Sequence, residues 1–144
     1  MITTRTATND DKAFLWELKK AAMAQYVSAV YGWDDGFQRS FFEKGFNPDV
    51  IQVIEQDGQS IGMYELQDRD DALYIARIEI IPARQRCGVG SHLLQRIIHQ
   101  AIEQRKPLGL QVFKVNPAQH LYRRLGFRDT GETDTHIQME YAGK

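Results

Sequence analysis

Hydrophobic positions repeat at helical spacing through most of the first third of the chain. Residues 2–7 alternate apolar and polar side chains, which predicts a short strand. Asn9 precedes two aspartates and is typical of a helix N-cap. The helix that it opens is predicted to run to about Val30 and to end at Gly32. Its apolar stripe consists of Phe14, Leu15, Leu18, Ala21 and Ala22.

A second helix is predicted over residues 35–44, before the helix-breaking pair Asn47-Pro48. Its three phenylalanines, Phe37, Phe41 and Phe42, stand at helical spacing. Apolar residues at that spacing usually turn towards a core. We therefore expect all three rings to be core residues.

The spacing then changes to the two-residue period of strands. Residues 50–55 and 60–67 flank the turn Asp57-Gly58, which predicts a hairpin. Residues 73–81 form a longer predicted strand with Tyr74, Ala76, Ile78 and Ile80 on one face. The other face carries Arg77 and Glu79. This meander is followed by a return to helical spacing.

The clearest helix of the chain is predicted over residues 91–105. A strand follows over residues 108–115, then a short helix over 117–125 that ends at Gly126, and a final pair of strands over 128–141. The order of these elements predicts a mixed α/β fold rather than a strict βαβ alternation. The stripe of the long helix consists of Leu93, Leu94, Ile97, Ile98, Ala101 and Ile102.

Length and composition narrow the function classes. A chain of 144 residues is expected to form one domain, residues 1–144. Its 18 basic and 19 acidic residues give a net charge of −1, so no overall positive field attracts nucleic acid or a membrane. The single cysteine, Cys87, excludes an intramolecular disulfide, and the first residues lack the apolar core of a secretory signal. We therefore expect a cytoplasmic protein that binds neither nucleic acid nor a membrane.

The most informative segment joins the predicted long strand to the long helix through two glycines, Gly88 and Gly90. Glycine allows the backbone to come close to a ligand, and the first amides of a helix bind anions. A plain turn between strand and helix is the alternative. A Walker A loop is excluded because Ser91-His92 follows the second glycine, and a dinucleotide fingerprint is excluded because Leu93 stands at its third small position.

Two motifs in this order resemble those of the GNAT superfamily of CoA-dependent N-acetyltransferases. The first is Gln85-Arg86-Cys87-Gly88-Val89-Gly90, and the second is Asn116-Pro117-Ala118-Gln119-His120-Leu121-Tyr122-Arg123-Arg124-Leu125-Gly126-Phe127. The resemblance implies a single GNAT-like domain with a central, twisted, mostly antiparallel sheet. In that fold the fourth and fifth strands splay apart and helices cover both faces. Acetyl-CoA would be the co-substrate.

The resemblance also implies where acetyl-CoA binds. The pyrophosphate would lie on the amides from Gln85 to Ser91, that is on Gln85, Arg86, Cys87, Gly88, Val89, Gly90 and Ser91, and the pantetheine on Ile80 and Ile81. Asn116 would bind a pantetheine amide, although it precedes Tyr122 by six residues where many members have seven. Asn116 followed by proline is equally explained as a helix cap. Tyr122 would be the general acid that protonates the departing thiolate.

A general base is needed because an amine with a pKa of about 10 is mostly protonated at neutral pH. Glu79 is the best-placed candidate, since two isoleucines flank it and burial would raise the pKa of its carboxyl. The alternatives are an ion pair between Glu79 and Arg77 and a plain position at the solvent edge. Tyr74, His136 and a chain of water molecules are lesser candidates. Cys87 is interpreted as a small loop residue, and the histidines show no metal-ligand spacing, so no metal is expected.

In GNAT enzymes the first two helices and the terminal hairpin shape the acceptor site. Tyr31 and Trp33 could form an aromatic wall there, and Asp34 and Asp35 either attract a cation or cap the second helix. Polar groups of residues 131–136 could reach the same site. The acceptor is expected to be an amine of a small molecule or a peptide. The alternatives are a CoA sensor without turnover and a transferase for a longer acyl group, and the oligomeric state, a homodimer included, is left open.

Overall fold

A seven-stranded sheet with four α-helices forms this protein. The structure is a computed structural model and describes residues 1–143. The strands are ordered β1-β2-β3-β4-β5-β7-β6, and each registered pair is antiparallel except β4 with β5, which is parallel. Along the chain the elements are β1 (Ile2–Thr6), α1 (Lys12–Tyr31), α2 (Asp35–Gly45), β2 (Gln52–Gln56), β3 (Gln59–Asp68), β4 (Leu73–Ile80), α3 (Val89–Glu103), β5 (Leu108–Phe113), α4 (Ala118–Leu125), β6 (Phe127–Glu132) and β7 (His136–Tyr141).

The chain divides into two compact units. The first unit comprises residues 1–65 and 77–85, and the second comprises residues 66–76 and the chain from Arg86 onward. In the first unit α1 packs with the inward side chains of β2 and β3 around a core that contains Trp16, Leu18, Val53 and Met63. Since each of these side chains is almost completely buried, burial of apolar surface is the main force that holds this unit together.

The second unit has its own core. The inward face of α3 presents Leu93, Leu94, Ile97, Ile98 and Ala101, all buried. Alternate residues of β5 and β7, among them Leu108, Leu110, Ile137 and Met139, are buried as well. The predicted stripe of α3 is wrong at its last position, because the Ile102 side chain is 56% exposed.

The parallel register of β4 and β5 is short. It covers three residue pairs, from Leu73 with Leu108 to Ile75 with Leu110. The fold class that the sequence predicts, a mixed α/β fold with a mostly antiparallel sheet that splays between its fourth and fifth strands, is confirmed.

Two local predictions are wrong. Asn9 does not cap the first helical segment: the Thr8 hydroxyl accepts a hydrogen bond from the Asp10 amide, and the Asp11 carboxylate accepts one from the Thr8 amide. Phe37 and Phe41 are not core residues, since each is 64% exposed, and of the three phenylalanines of α2 only Phe42 is buried. Residues 37 and 41 share a side of the helix, but residue 42 is turned by about 100° from residue 41.

Candidate active site

The segment that leaves β4 is fixed by hydrogen bonds of the first unit. The Ile81 amide donates to the Ile61 carbonyl of β3 at 2.9 Å. The Gln85 side-chain nitrogen donates to the Ile80 carbonyl at 2.8 Å, across the 3-10 turn Pro82–Arg84. Arg84 donates to the Gln56 side chain at 3.1 Å. Arg84 is therefore attached to β2 rather than left to solvent, as a plain turn would leave it.

These bonds determine which backbone groups of β4 can bind a ligand. The amide and carbonyl of one strand residue point to the same side, and those of the next residue point to the opposite side. Because Ile81 is directed towards β3, Ile80 is directed towards the other edge of β4. Of the two residues predicted to bind pantetheine, Ile80 therefore has its amide on the side away from β3, while its carbonyl already accepts from Gln85 and the Ile81 amide already donates to Ile61.

In the second unit, α3 begins in a backbone shape suited to an anion. Gly88 is the N-cap with φ +84°, and Arg86 also lies in the left-handed region with φ +62°. The first bond of the helix runs from the His92 amide to the Gly88 carbonyl at 3.0 Å. The amides of Val89, Gly90 and Ser91 therefore precede the first intrahelical bond.

Nothing in this first turn competes with an anion. No side chain caps α3, and its first turn contains no acidic residue. A Cβ built on Gly88 would have no heavy atom within 4 Å, so the surface beside this glycine is open. Val89 is 1% exposed and anchors the turn in the core, while Cys87 is exposed. The residues present thus fit a bound pyrophosphate, which helix N-termini attract through their amides and dipole.

Asn116 lies two residues before α4, and its Oδ1 accepts a hydrogen bond from the Ala118 amide at 2.9 Å. The N-cap of α4 is Pro117 rather than Asn116, and the proline therefore does not occupy the first helical position as the helix-cap alternative expected. The Asn116 side-chain NH₂ group is the donor that remains for a pantetheine carbonyl.

Tyr122 is on the inner side of α4. Its side chain is 7% exposed, and its ring packs edge-on against Phe127 with the centroids 5.9 Å apart. Burial raises the pKa of the Tyr122 phenol to about 12, which keeps it protonated at neutral pH. Within residues 1–143 no protein group forms a hydrogen bond with the Tyr122 hydroxyl.

Glu79 is on the inner face of β4 and is 8% exposed. Burial raises the pKa of its carboxyl, and the positive charges of Arg77 and Lys19 act in the opposite direction. The predicted alternative, an ion pair between Glu79 and Arg77, is not formed. Arg77 instead donates to the Glu65 carboxylate from two nitrogens, at 2.9 and 3.1 Å.

The lesser candidates for the base are in less suitable surroundings. The Arg69 guanidinium covers the Tyr74 ring at 3.9 Å from its centroid. The His136 ring packs on Phe113 with the centroids 4.2 Å apart, and burial lowers its pKa. In the part of the chain that the structure describes, no group of three or more His, Cys, Asp or Glu residues could hold a metal ion.

The aromatic residues between α1 and α2 divide into structural and exposed ones. Trp33 stacks on Trp16 with the centroids 6.3 Å apart and donates to the Asp35 carboxylate at 3.4 Å. The Asp34 carboxylate accepts from the Phe37 amide at 2.9 Å, which is the cap that the sequence allowed. Tyr31 is 65% exposed.

Sequence analysis missed Lys19 of α1. This half-buried lysine lies with its Nζ 5.1 Å from the centroid of the Phe41 ring. Burial lowers the pKa of Lys19, and the nearby Glu79 carboxylate raises it. A single lysine beside an apolar stripe gives no signal in a sequence, because most such lysines extend into solvent.

Comparison with known proteins gives a family and a fold. Residues 14–127 match the sequence profile described as the acetyltransferase (GNAT) family. The ribosomal protein bS18-alanine N-acetyltransferase of Haemophilus influenzae is 35% identical over 80 residues, which are 55% of this chain and 54% of that protein. The chain thus spans about half the length of the curated relative it matches.

Two solved structures are similar over nearly their whole length. The PaiA N-acetyltransferase of Thermoplasma acidophilum, in complex with coenzyme A, has a TM-score of 0.80 at 15% identity and covers 98% of each chain. The ribosomal-protein-S18-alanine N-acetyltransferase of Escherichia coli has a TM-score of 0.71 at 22% identity, over 100% of this chain and 97% of that one. At such identities these two comparisons show the fold alone. No helix within residues 1–143 is both long and apolar enough to span a membrane.

Proposed function

Because the chain belongs to the GNAT acetyltransferase family, we propose that it is an N-acetyltransferase that transfers the acetyl group of acetyl-CoA to a primary amine of a small molecule or peptide. The observation that carries this proposal is the family match over residues 14–127, which includes both motifs, residues 85–90 and 116–127. Acetyl-CoA supplies an activated thioester. The protein has to bind it, accept a proton from the amine and return one to the departing sulfur.

The pyrophosphate is assigned to the turn that opens α3. The left-handed Gly88, the uncapped amides of Val89, Gly90 and Ser91, and the absence of acidic residues from the first turn support this role. Arg86 and Cys87 complete the turn, and Gln85 orders the chain before it through its bond to Ile80. For the pantetheine, the first unit would supply the outward amide of Ile80, with Ile81 as a backbone neighbour, and the second unit would supply the side-chain NH₂ group of Asn116.

Two buried groups would move the protons. The Glu79 carboxylate accepts a proton from the acceptor ammonium, and its raised pKa makes it a stronger base than an exposed glutamate. The amine nitrogen then bonds to the acetyl carbon and loses its second proton to water, and the carbon–sulfur bond breaks with its electron pair on sulfur. Tyr122 is protonated at neutral pH and donates its proton to that sulfur. Solvent exchange restores both groups, and the balance is one amide, one thiol and one released proton.

The acceptor class rests on the relatives only in part. The curated relative and one of the similar structures are named for acetylation of an alanine of a ribosomal protein. A peptide amine is therefore supported as one acceptor class, beside the small-molecule amine that the sequence allows. The extent of the domain, the cytoplasmic location and a homodimer stay predictions from the sequence.

Removal of the Tyr122 hydroxyl group tests whether the protein is an enzyme or a CoA-binding sensor. Tyr122→Phe should lower kcat for acetyl transfer about 100-fold and change the Kd for acetyl-CoA less than about threefold, since general acid catalysis is lost and the ring is kept. The assay measures thiol release with acetyl-, propionyl- and succinyl-CoA and a panel of amines, and calorimetry measures binding.

Tyr141→Phe is the matched control, because the Tyr141 ring also packs edge-on against Phe127, with the centroids 5.6 Å apart. Tyr141→Phe should change neither kcat nor the Kd for acetyl-CoA. Thiol release by Tyr122→Phe at the wild-type rate would remove this tyrosine from the mechanism. A wild-type protein that binds acetyl-CoA but releases no thiol with any amine would be a sensor.

A further inference from the structure

The outer side of α2 carries two aromatic rings that the rest of the chain leaves uncovered. Phe37 and Phe41 are each 64% exposed, and their rings stack with the centroids 6.4 Å apart and the planes 19° apart. Phe42, one position along, is 7% exposed and packs on Trp16. Of these three phenylalanines only Phe42 belongs to the core of the first unit, so packing of the fold does not account for the other two.

Both rings are held in a fixed arrangement by contacts of the first unit. They stand four residues apart and therefore lie on the same side of the helix. The Asp34 carboxylate caps α2 at the Phe37 amide, at 2.9 Å. The Nζ of the half-buried Lys19 lies 5.1 Å from the Phe41 ring centroid, which stabilises that ring. Aromatic side chains that are already ordered lose little conformational entropy on binding, and such residues dominate the energy of many interfaces.

Two lysines make the surroundings of the rings positive. Lys19 of α1 contacts the Phe41 ring, and Lys44 of α2 lies on the same side of the helix, three residues after Phe41 and seven after Phe37. Within residues 1–143 neither lysine forms an ion pair, and no carboxylate of either helix is left to neutralise them. The acidic side chains of the two helices are engaged elsewhere: Glu17 with Lys20, Glu43 with Lys12 and Arg39, and Asp35 with Trp33.

The size and the charge of this surface distinguish between its possible occupants. A phenylalanine has roughly 200 Å² of surface, so the two rings leave about 250 Å² uncovered. A stable dimer buries about 800 Å² on each partner, which is more than three times as much. A symmetric dimer through these rings would also bring the two lysines of each copy against one another. A short segment with apolar and acidic side chains fits both the area and the charge.

We propose that Phe37 and Phe41, with the flanking Lys19 and Lys44, form a docking surface for a short acidic segment of a partner protein. An aromatic or aliphatic side chain of the segment would cover the rings, and its carboxylates would pair with the lysines. This inference goes beyond the proposed function, because docking needs neither acetyl-CoA nor an acceptor amine. The apolar contact supplies most of the affinity, and the charges select the partner.

The test is an NMR titration of the isotope-labelled protein with three capped hexapeptides that contain no primary amine. The first is Asp-Glu-Leu-Phe-Glu-Asp, the second has arginine in place of its four acidic residues, and the third has alanine in place of leucine and phenylalanine. The first should shift the amide signals of α2 with a Kd below about 1 mM, and the other two should bind at least about tenfold more weakly. Salt at about 0.5 M should weaken binding of the first about threefold, because it screens exposed charges.

Variants of the exposed side chains assign the binding to this surface. Phe41→Gln should weaken binding of the acidic peptide at least about tenfold, and Lys44→Gln about threefold. Ile102→Gln is the matched control, because Ile102 is a 56% exposed apolar residue of another helix, α3, and should leave the affinity unchanged. Exposed positions tolerate such changes, so all three variants should keep the wild-type Tm. If Phe41→Gln does not fold, Phe37→Gln takes its place.

Equal binding of the three peptides, or of the acidic peptide by the wild type and Phe41→Gln, would overturn the inference. Signal shifts confined to other elements, or no binding at millimolar peptide, would overturn it as well. A wild-type dimer that Phe41→Gln dissociates would show instead that a second copy covers the rings. Acetyl transfer plays no part in these measurements, so failure of the inference and failure of the proposed function are distinguishable.

Discussion

Glu79 and Tyr122 are ionisable side chains that folding has largely removed from water. Burial raises the pKa of both groups. For Glu79 this gives a carboxylate that holds a proton more readily, and for Tyr122 a phenol that stays protonated. The raised pKa makes the Glu79 carboxylate a stronger base, whereas it makes the Tyr122 phenol a weaker acid that keeps its proton at neutral pH.

The raised pKa of Glu79 predicts that its removal stabilises the protein. The folded state binds a proton at Glu79 at pH values where the unfolded state has already lost it. The contribution of Glu79 to the free energy of unfolding is therefore most favourable below the pKa that its carboxyl has in the unfolded chain. It becomes less favourable as the pH rises through the pKa of the folded state. Glu79→Gln should raise the Tm at neutral pH, with a smaller gain at pH 4, and should lower kcat about 100-fold.

Glu65→Gln is the contrasting variant. The Glu65 carboxylate accepts from Arg77, so its loss leaves a partly buried guanidinium unpaired and should lower the Tm. The Tm values of Glu79→Gln and Glu65→Gln are compared by thermal unfolding between pH 4 and pH 8. A lower Tm for Glu79→Gln at neutral pH would show that the Glu79 carboxylate is needed to hold the fold.

At the scale of the element, β4 depends on a close approach by β3. A Cβ on Gly62 of β3 would lie 2.5 Å from the Glu79 carbonyl oxygen and 3.3 Å from the Ile80 Cα. Gly62→Ala would therefore move β4 at the two residues assigned to the base and to pantetheine. We expect a loss of about 1–3 kcal/mol in unfolding free energy, which is typical of overpacking, and a higher KM for acetyl-CoA.

Gly109→Ala is the matched control on a strand of the second unit. A Cβ there would have its nearest contact at 3.5 Å, an ordinary van der Waals distance. Chemical denaturation should find its stability within about 1 kcal/mol of the wild type. Equal stabilities for the two alanine variants would contradict the close approach of β3 and β4.

Helix α2 shows that the sequence can predict the position of a helix without predicting which of its faces is buried. The period and bounds of this helix follow from the sequence, and the structure places it at Asp35–Gly45. The spacing of its phenylalanines also shows which of them share a side. It does not show whether another layer covers that side, and Phe37 and Phe41 are exposed because none does. Whether a helix face is covered by another layer depends on the tertiary fold.

At the scale of the whole molecule, the order of elements and the two motifs were sufficient to predict the fold class and the family. Motifs record local backbone needs, such as the positive φ of Gly88, and these persist when the rest of a sequence changes. The partial burial of Lys19 was not predictable, because it depends on the packing of α1 near Phe41 of α2, which no local pattern encodes.

The central claim is that the backbone at the start of α3 binds the pyrophosphate of acetyl-CoA. The most direct test is calorimetric binding of acetyl-CoA to the wild type and to two glycine variants, Gly88→Val and Gly58→Val. Both glycines have open space around them and nearly equal φ values, +84° and +81°, so the two substitutions impose the same backbone strain.

Only Gly88→Val also places a branched side chain where the diphosphate would approach the amides. The account predicts that Gly58→Val binds acetyl-CoA as the wild type does and that Gly88→Val binds it at least about tenfold more weakly, a loss of about 1.4 kcal/mol or more. Equal affinity of the two folded variants, or no binding by the wild type at millimolar acetyl-CoA, would contradict it.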